Sequence, residues 1–445
     1  MDVSSPKTVE KKAKKLSEPV IPAHNKIIFI MLVSCFVVWG MLNNMNDTLV
    51  PAFGKIFMMN AVNSSIIQVA FYSAYALLAI PAALIIKKWS YRTGVLIGLG
   101  LFIIGALGYI PASIVQNYNI FVVSIFILAS GLSMLETTCN PFVLSLGSEE
   151  TSVRRLNYAQ AFNPVGSFMG LIVAKFVILG NLNSATYEDR IKMSVDKLAE
   201  IRHTELIWLC MPYMVLIIIA AFIWSAFFKN KSAIKDVGGA VNFKKSVKSL
   251  LSTKRYVYGV IAQFFYVGMQ VAVWTWMTKY TMILLGVNEA KAVEPFIIAT
   301  VLFIAMRWIC TGLMKKFMPA RMMAVMAIAG IIFTLGAIYL PAGLSIICLI
   351  AISGCMSLMF PTIYGIALGG LGEESKLGAA GLIMAILGGA VFPTFMGKLI
   401  DLGTLSALTP MYSGVEAAVR SCYFAPIVCL VIILAYSIMN SKSRT

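Results

Sequence analysis

Two carboxyl groups stand in stretches otherwise fit only for hydrocarbon: Asp47 within VVWGMLNNMNDTLVPAF and Glu136 within FILASGLSMLETTCNPFVLSLG. An acid near the centre of a bilayer costs about 2.5–3.5 kcal/mol on insertion scales, so such residues usually face a wet cavity and work there. Amides accompany both, with Asn43, Asn44 and Asn46 beside the first and Asn140 after the second. On a helix Asn43, Asn46 and Asp47 fall at i, i+3 and i+4 and share a face, while Asn44 points elsewhere. Glu136 and Asn140 are i and i+4, and Pro141 breaks the next turn. Burial disfavours the charged form of a carboxyl, and an amide both donates and accepts, as a sugar hydroxyl does. The chemistry suggested is proton binding and release inside a polar pocket. The bland alternatives are a helix–helix hydrogen bond for any one Asn, and a structural ion pair of Glu136 with Arg307 or Lys175.

Further polar groups recur at helical spacing. In RRLNYAQAFNPVGSFMG, Gln160 and Asn163 are i and i+3, and Gly166 and Gly170 form a small face for close helix contact. In AQFFYVGMQVAVWTWMTKY, Gln263 and Gln270 lie near one face, with Trp274 one turn on, so an amide and an indole could meet one ligand. Trp276 and Tyr280 read as interfacial belt residues. Arg307, in ATVLFIAMRWICTGLM, either pairs with a carboxylate or snorkels to the rim. The chain has no G-x-x-x-x-G-K-[ST], and its two histidines, His24 and His203, sit in a tail and a loop. No nucleophile–base pair or metal-ligand set is visible, so neither an enzyme, a cofactor nor a metal site is expected.

The elements that position these groups are membrane spans. Of the 445 residues 59% are hydrophobic and 12% charged, against a soluble norm of roughly 45–50% and about 25%. Long apolar runs predict an all-α membrane protein of twelve spans. Their approximate limits are 27–54, 65–86, 93–112, 119–146, 157–180, 205–228, 255–284, 294–314, 322–341, 342–369, 378–400 and 416–439. The net charge of +17 lies in tails and short loops. Most of it falls on one side of an even number of spans, which puts both ends in the cytoplasm and argues against nucleic acid. The eight cysteines show no C-x-x-C spacing and no disulfide framework is expected. The lysine-rich start, MDVSSPKTVEKKAKK, reads as a tail and not a signal peptide.

Basic residues between the sixth and seventh spans divide the chain. The division predicts a cytoplasmic tail 1–26, a six-helix half 27–228, a cytoplasmic linker 229–254, a second half 255–439 and a tail 440–445. The halves echo one another: KKWSYRTG at Lys87 matches KKFMPAR at Lys315, and NPVGSFMG at Asn163 matches FPTFMG at Phe392. Parallel six-helix repeats around a midplane site are the plan of major facilitator transporters. The loop NLNSATYEDRIKMSVDKLAEIRHT is expected to hold a short amphipathic helix at the surface.

The strings NNMNDTLVPAFGKIF, LETTCNPFVLSLG, RRLNYAQAFN, AQFFYVGMQVAVW and FPTIYGIALGGLG together resemble the L-fucose–proton symporter and its glucose/galactose relatives, from about Ile27 to the last span. The resemblance implies inward, proton-driven sugar movement by alternating access in a bacterial inner membrane, by a chain taken to act as a monomer. Its protonatable acids correspond to Asp47 and Glu136, and its sugar-contacting amides to Asn43, Gln160 and Asn163. Phe360 stands where the fucose symporter has a tyrosine, and Met306 where relatives usually have glycine before Arg307. The first departure weakens L-fucose against a related hexose and leaves transport untouched. The expectation is therefore symport of a proton with a monosaccharide, L-fucose first. Asp47 and Glu136 are the coupling acids. Asn43, Asn46, Asn140, Gln160, Asn163, Gln270, Trp274 and Phe360 line the substrate. Alternatives are glucose, galactose or N-acetylglucosamine as cargo, Na⁺ in place of the proton, or a sugar sensor that transports nothing.

Overall fold

The structure, a computed structural model, describes residues 19–59, 61–64, 66–185, 187–230 and 242–441. The side chains of Asp47, Ala61, Val62, Glu289 and Ala290 fall outside that description, as do the lysine-rich start and most of the linker core. Among the described residues there are helices and no strands, and twelve segments are long and apolar enough to cross a membrane. In chain order the main helices are α1 (Lys26–Ile56), α2 (Ile66–Lys88), α3 (Tyr91–Leu107), α4 (Tyr118–Ser145), α5 (Ser152–Gln160), α6 (Asn163–Val173), α7 (Val195–Lys229) and α8 (Lys254–Leu285). Then follow α9 (Glu294–Leu313), α10 (Pro319–Tyr339), α11 (Ala342–Met356), α12 (Met359–Leu368), α13 (Ser375–Met384), α14 (Gly388–Leu402), α15 (Gly414–Ser421) and α16 (Phe424–Ser441).

Five spans expected to run unbroken are interrupted, between α5 and α6, α11 and α12, α13 and α14, α15 and α16, and at Gly108 just past α3. Proline explains the first two: Pro164 and Pro361 carry no N–H for the carbonyl four residues back. The loop does hold a short, mostly exposed helix, Tyr187–Ile191, while its later part is continuous with the following span. Ser194 caps it, its Oγ accepting from the Lys197 N–H at 3.4 Å, and α7 then runs 35 residues.

The chain divides into two compact units. One comprises Ala23–Val143 with Phe162–Asn242. Here α1 lies against α6 at glycine contacts: a Cβ on Gly166 would sit 2.1 Å from the Val37 carbonyl oxygen, and one on Gly170 2.2 Å from that of Met41. Hydrogen bonds reinforce the seam, from Asn44 Nδ2 to the Ser167 carbonyl at 2.8 Å and from Ser167 Oγ to the Gly40 carbonyl at 3.2 Å. Arg92 closes the end of α7, donating to the Phe227 and Phe228 carbonyls at 2.9 and 2.6 Å, where the helix dipole favours a cation.

The same unit holds a buried ion pair. Arg190 and Glu205 make two hydrogen bonds, that from Nη1 to Oε2 at 2.9 Å, and each residue is 1% exposed. Nη1 of Arg190 also donates to the Lys55 carbonyl at 3.3 Å, and Glu205 Oε1 accepts from the Asn183 N–H at 2.9 Å. The pair thus ties the connection between α6 and α7 to the end of α1. Breaking it from one side strands a charge, so Glu205→Gln or Arg190→Met is expected to destabilise by about 3–5 kcal/mol. The double variant Arg190→Met/Glu205→Leu is expected to recover most of that loss. Thermal unfolding in detergent measures both; a loss in the double variant equal to the sum of the two single losses would show that the charges are not coupled.

The second unit joins Leu144–Ala161 to Phe243–Thr445, together with Met1–Pro22. Its centre is α8, packed on α14, α12 and α16, while α10 packs on α11 and α16. Arg420, 1% exposed, closes the end of α10 by donating to the Ile338 and Leu340 carbonyls at 3.1 and 2.9 Å. The α5 segment sits on α12 and α9. Compact grouping therefore cuts across the six-helix division read from charge, because residues 144–161 cluster with the C-terminal spans. A short helix, Phe243–Ser252, occupies the described end of the linker.

Candidate functional site

In the first unit the polar stripe of α1 extends further back than Asn43. Trp39, Asn43 and Asn46 are spaced i, i+4 and i+7, on one helical face. Buried on that face without a hydrogen-bond partner are Trp39 Nε1, Asn43 Oδ1 and Asn46 Nδ2. Asp47 lies in α1, its side chain outside the described residues.

Glu136 sits in α4 among buried Ser130, Ser133, Thr137, Thr138 and Asn140, and is 2% exposed. Among the described residues its carboxyl group has neither an ion pair nor a hydrogen bond. The Tyr75 hydroxyl of α2 lies within electrostatic range of it and beside the Trp39 indole. Neither the hydroxyl nor the indole N–H forms a direct hydrogen bond. Ser133 Oγ, one turn before Glu136, donates to the Tyr75 carbonyl at 3.4 Å and so registers α4 on α2. The Cys35 and Cys139 thiols, one turn from Trp39 and from Glu136, meet across α1 and α4. An acid, a phenol and an indole thus converge with their polar atoms unspent. An unsatisfied buried group costs about 1–3 kcal/mol, so this arrangement is suited to a proton, a water or a ligand hydroxyl.

The amides differ in what they have free. Asn140 is fully buried and its Nδ2 donates to the Glu136 carbonyl at 2.9 Å, a use internal to α4. Asn163 Nδ2 donates to the Phe36 carbonyl at 3.2 Å, which anchors the start of α6 on α1. Lys175 is exposed, 5.4 Å from the Phe176 ring centroid, and is not a partner of Glu136.

The second unit holds the remaining candidates. Gln270 is half-buried with no hydrogen-bond partner among the described residues. Gln263, two turns earlier, is fully buried with both amide atoms unpartnered. The Trp274 indole N–H donates to Ser353 Oγ at 3.0 Å, and its ring stands edge-on to Phe303 and Phe296, at 5.1 and 6.0 Å. Its orientation is therefore fixed by α9 and α11, with part of the ring still exposed. Phe360 packs between Tyr266 and Tyr364, at 6.2 and 6.1 Å. Arg307 takes carbonyl oxygens in place of the carboxylate expected as one option: Nε donates to Ser357 and Nη1 to Gln160 at 3.1 Å. It is 4% exposed, so snorkelling does not describe it either.

Residues 27–393 match the family model described as Major Facilitator Superfamily. The chain belongs to the major facilitator superfamily. It is 40% identical to an L-fucose-proton symporter of Haemophilus influenzae, over 92% of this chain and 95% of that one. A glucose/galactose transporter of Brucella abortus is 28% identical over 93% of each chain. The crystal structure of FucP, a major facilitator transporter in the outward conformation, superposes with a TM-score of 0.85 at 30% identity, covering 94% of this chain and all of that one. This major facilitator protein is thus a multi-pass membrane transporter and not an enzyme, with a wholly helical architecture of twelve spans.

Trp39 and Tyr75 escaped the sequence reading for different reasons. Trp39 could have been found by following the Asn43–Asn46 face one turn toward the N-terminus. Tyr75 could have been found on the face it shares with Gln68 and Tyr72, at i−7 and i−3, although nothing in that spacing points to Glu136.

Proposed function

We propose that this major facilitator protein carries a monosaccharide into the cell together with a proton, with L-fucose the first candidate. The observation that carries the reading is Glu136: an acid buried in a membrane helix, with no cation or hydrogen bond among the described residues. Such a group is costly to move through an occluded state while charged and cheap when protonated. Proton uptake would thereby be linked to the conformational step, and sugar binding need only favour the protonated form to couple the two flows. The symporter and transporter named above support the choice of cargo.

In this reading Glu136 joins the proton to sugar contact and Asp47 serves as a second proton acceptor. Asn43, Asn46, Gln160 and Asn163 supply amides to hydroxyls, and Gln270, Trp274 and Phe360 supply an amide and apolar faces. Asn140 would act behind Glu136, by shaping α4. The halves 27–228 and 255–439 would alternate about the site, joined through 229–254, with both ends in the cytoplasm of a bacterial inner membrane.

The test is the pH outside de-energised cells expressing the chain. Adding L-fucose is expected to raise the external pH as protons enter with the sugar, and a protonophore is expected to abolish the rise. No rise with L-fucose, D-galactose, D-glucose or N-acetylglucosamine, in cells where the protein is inserted, would reject proton-coupled transport of these sugars.

A further inference from the structure

A proline leaves one carbonyl upstream without its helical donor, because the ring nitrogen has no hydrogen. Pro164 does this to Gln160 and Pro361 does it to Ser357, each four residues back. These are the two carbonyls to which Arg307 donates. The guanidinium carbon lies 4.6 Å from the Phe303 ring centroid, which leaves the planar fork little freedom to turn away. One side chain of α9 thus satisfies the breaks of two different spans.

The rest of the α5 seat is made of small, reversible contacts. Asn157 Nδ2 donates to Thr362 Oγ1 at 3.2 Å, Tyr158 meets Trp308 edge-on at 5.6 Å, and Val153 lies against Gly365. A Cβ on Gly365 would approach Val153 to 3.1 Å, so the bare glycine lets the helices come this close. Arg155 of α5 donates to the Leu144 and Ser148 carbonyls at and just past the end of α4, and Arg307 supplies the charged group that reaches both proline breaks.

We propose that Arg307 is a positioning residue of the transport cycle. It holds α5 docked by lending its N–H groups to the two carbonyls that Pro164 and Pro361 leave open, and α5 is freed when the Gln160 bond is given up. The proposal rests on the transport reading for its place in a cycle, and on the geometry alone for the docking. It explains why an arginine stands at 307: two acceptors in different directions suit a planar fork with separate Nε and Nη donors, and a lysine offers a single point charge. It also explains the prolines, since a carbonyl that could return to its own helix would not need the guanidinium.

The test places a reporter cysteine at Asn157→Cys in the full-length chain and follows its alkylation by a water-soluble maleimide, read by peptide mass spectrometry so that native thiols do not interfere. Arg307→Gln is expected to raise the labelling rate about fivefold, the population change given by one lost hydrogen bond. Arg307→Lys is expected to fall between. Pro164→Ala returns an N–H to the Gln160 carbonyl, so it should raise labelling in the same direction, and the two changes combined should not add. Unchanged labelling in Arg307→Gln, or full additivity with Pro164→Ala, would overturn the proposal. This readout needs no sugar, so it stands apart from failure of the sugar assignment. Size-exclusion chromatography of each variant separates loss of docking from loss of fold.

Discussion

Replacing Glu136 with glutamine is expected to abolish uphill sugar accumulation while leaving exchange of labelled for unlabelled sugar across the membrane. Glutamine keeps the shape of the protonated acid and cannot release a proton. The buried position around Glu136 accepts a neutral side chain without a new charge to bury. A proton entering down 100 mV supplies about 2.3 kcal/mol, enough for a sugar gradient of roughly fiftyfold. Accumulation in Glu136→Gln should fall from that order to unity, and the exchange rate should lose the part of its pH dependence that Glu136 supplies, leaving that of Asp47. Labelled sugar in energised vesicles measures the first and counterflow between pH 5.5 and 8 the second. A variant that still accumulates sugar and still raises the external pH would remove Glu136 from the coupling.

The second large effect is expected at the seam between α1 and α6. Gly166→Leu should lose folded protein, because its Cβ alone would come within 2.1 Å of the Val37 carbonyl oxygen and 2.9 Å of the Val37 Cα. Neither atom can swing aside as a side chain would. Prying the helices apart also stretches the bonds of Asn44 to Ser167 and Asn163 to Phe36, which hold the amides beside the proposed pocket. Overpacking a close-packed core typically costs about 1–3 kcal/mol, and the rigidity of both surfaces puts this case at the upper end. Gly100→Ala is the control. Nothing lies within 4 Å of a Cβ there, and alanine is favoured over glycine inside a helix by about 0.5–1 kcal/mol. A fluorescence-monitored melt of the two variants should move in opposite directions, and similar melts would discount the seam.

The spans were legible because hydrocarbon thickness imposes their length, and the polar faces because three or four residues return a side chain to the same side. Asn43 and Asn46 needed nothing more. What sequence spacing cannot show is which turn of another helix stands opposite. Tyr75 comes within electrostatic range of Glu136 from 61 positions away, and Trp274 finds Ser353 79 positions on. The partner of Arg307 was sought among carboxylates because charge pairs are the familiar solution, although the prolines at 164 and 361 had already marked two carbonyls in want of a donor. The grouping of α5 with the C-terminal spans was likewise hidden: charge divides the chain by where loops lie, and says nothing of which helix end rests on which.

The two-residue joint between α5 and α6 has a kinetic consequence. Ala161 and Phe162 lie between the helices, so turning there breaks no helical span, and the lifetime of the docked arrangement is governed by the few bonds that α5 makes to α9 and α12. The groups proposed to grip a sugar are other atoms, Gln160 giving its carbonyl to Arg307 and its side-chain amide to the sugar. Dwell time and grip would then be adjustable separately: changes at 157, 164, 307 or 362 would speed or slow each turnover, and changes at the free amides would set how much sugar is needed to start one.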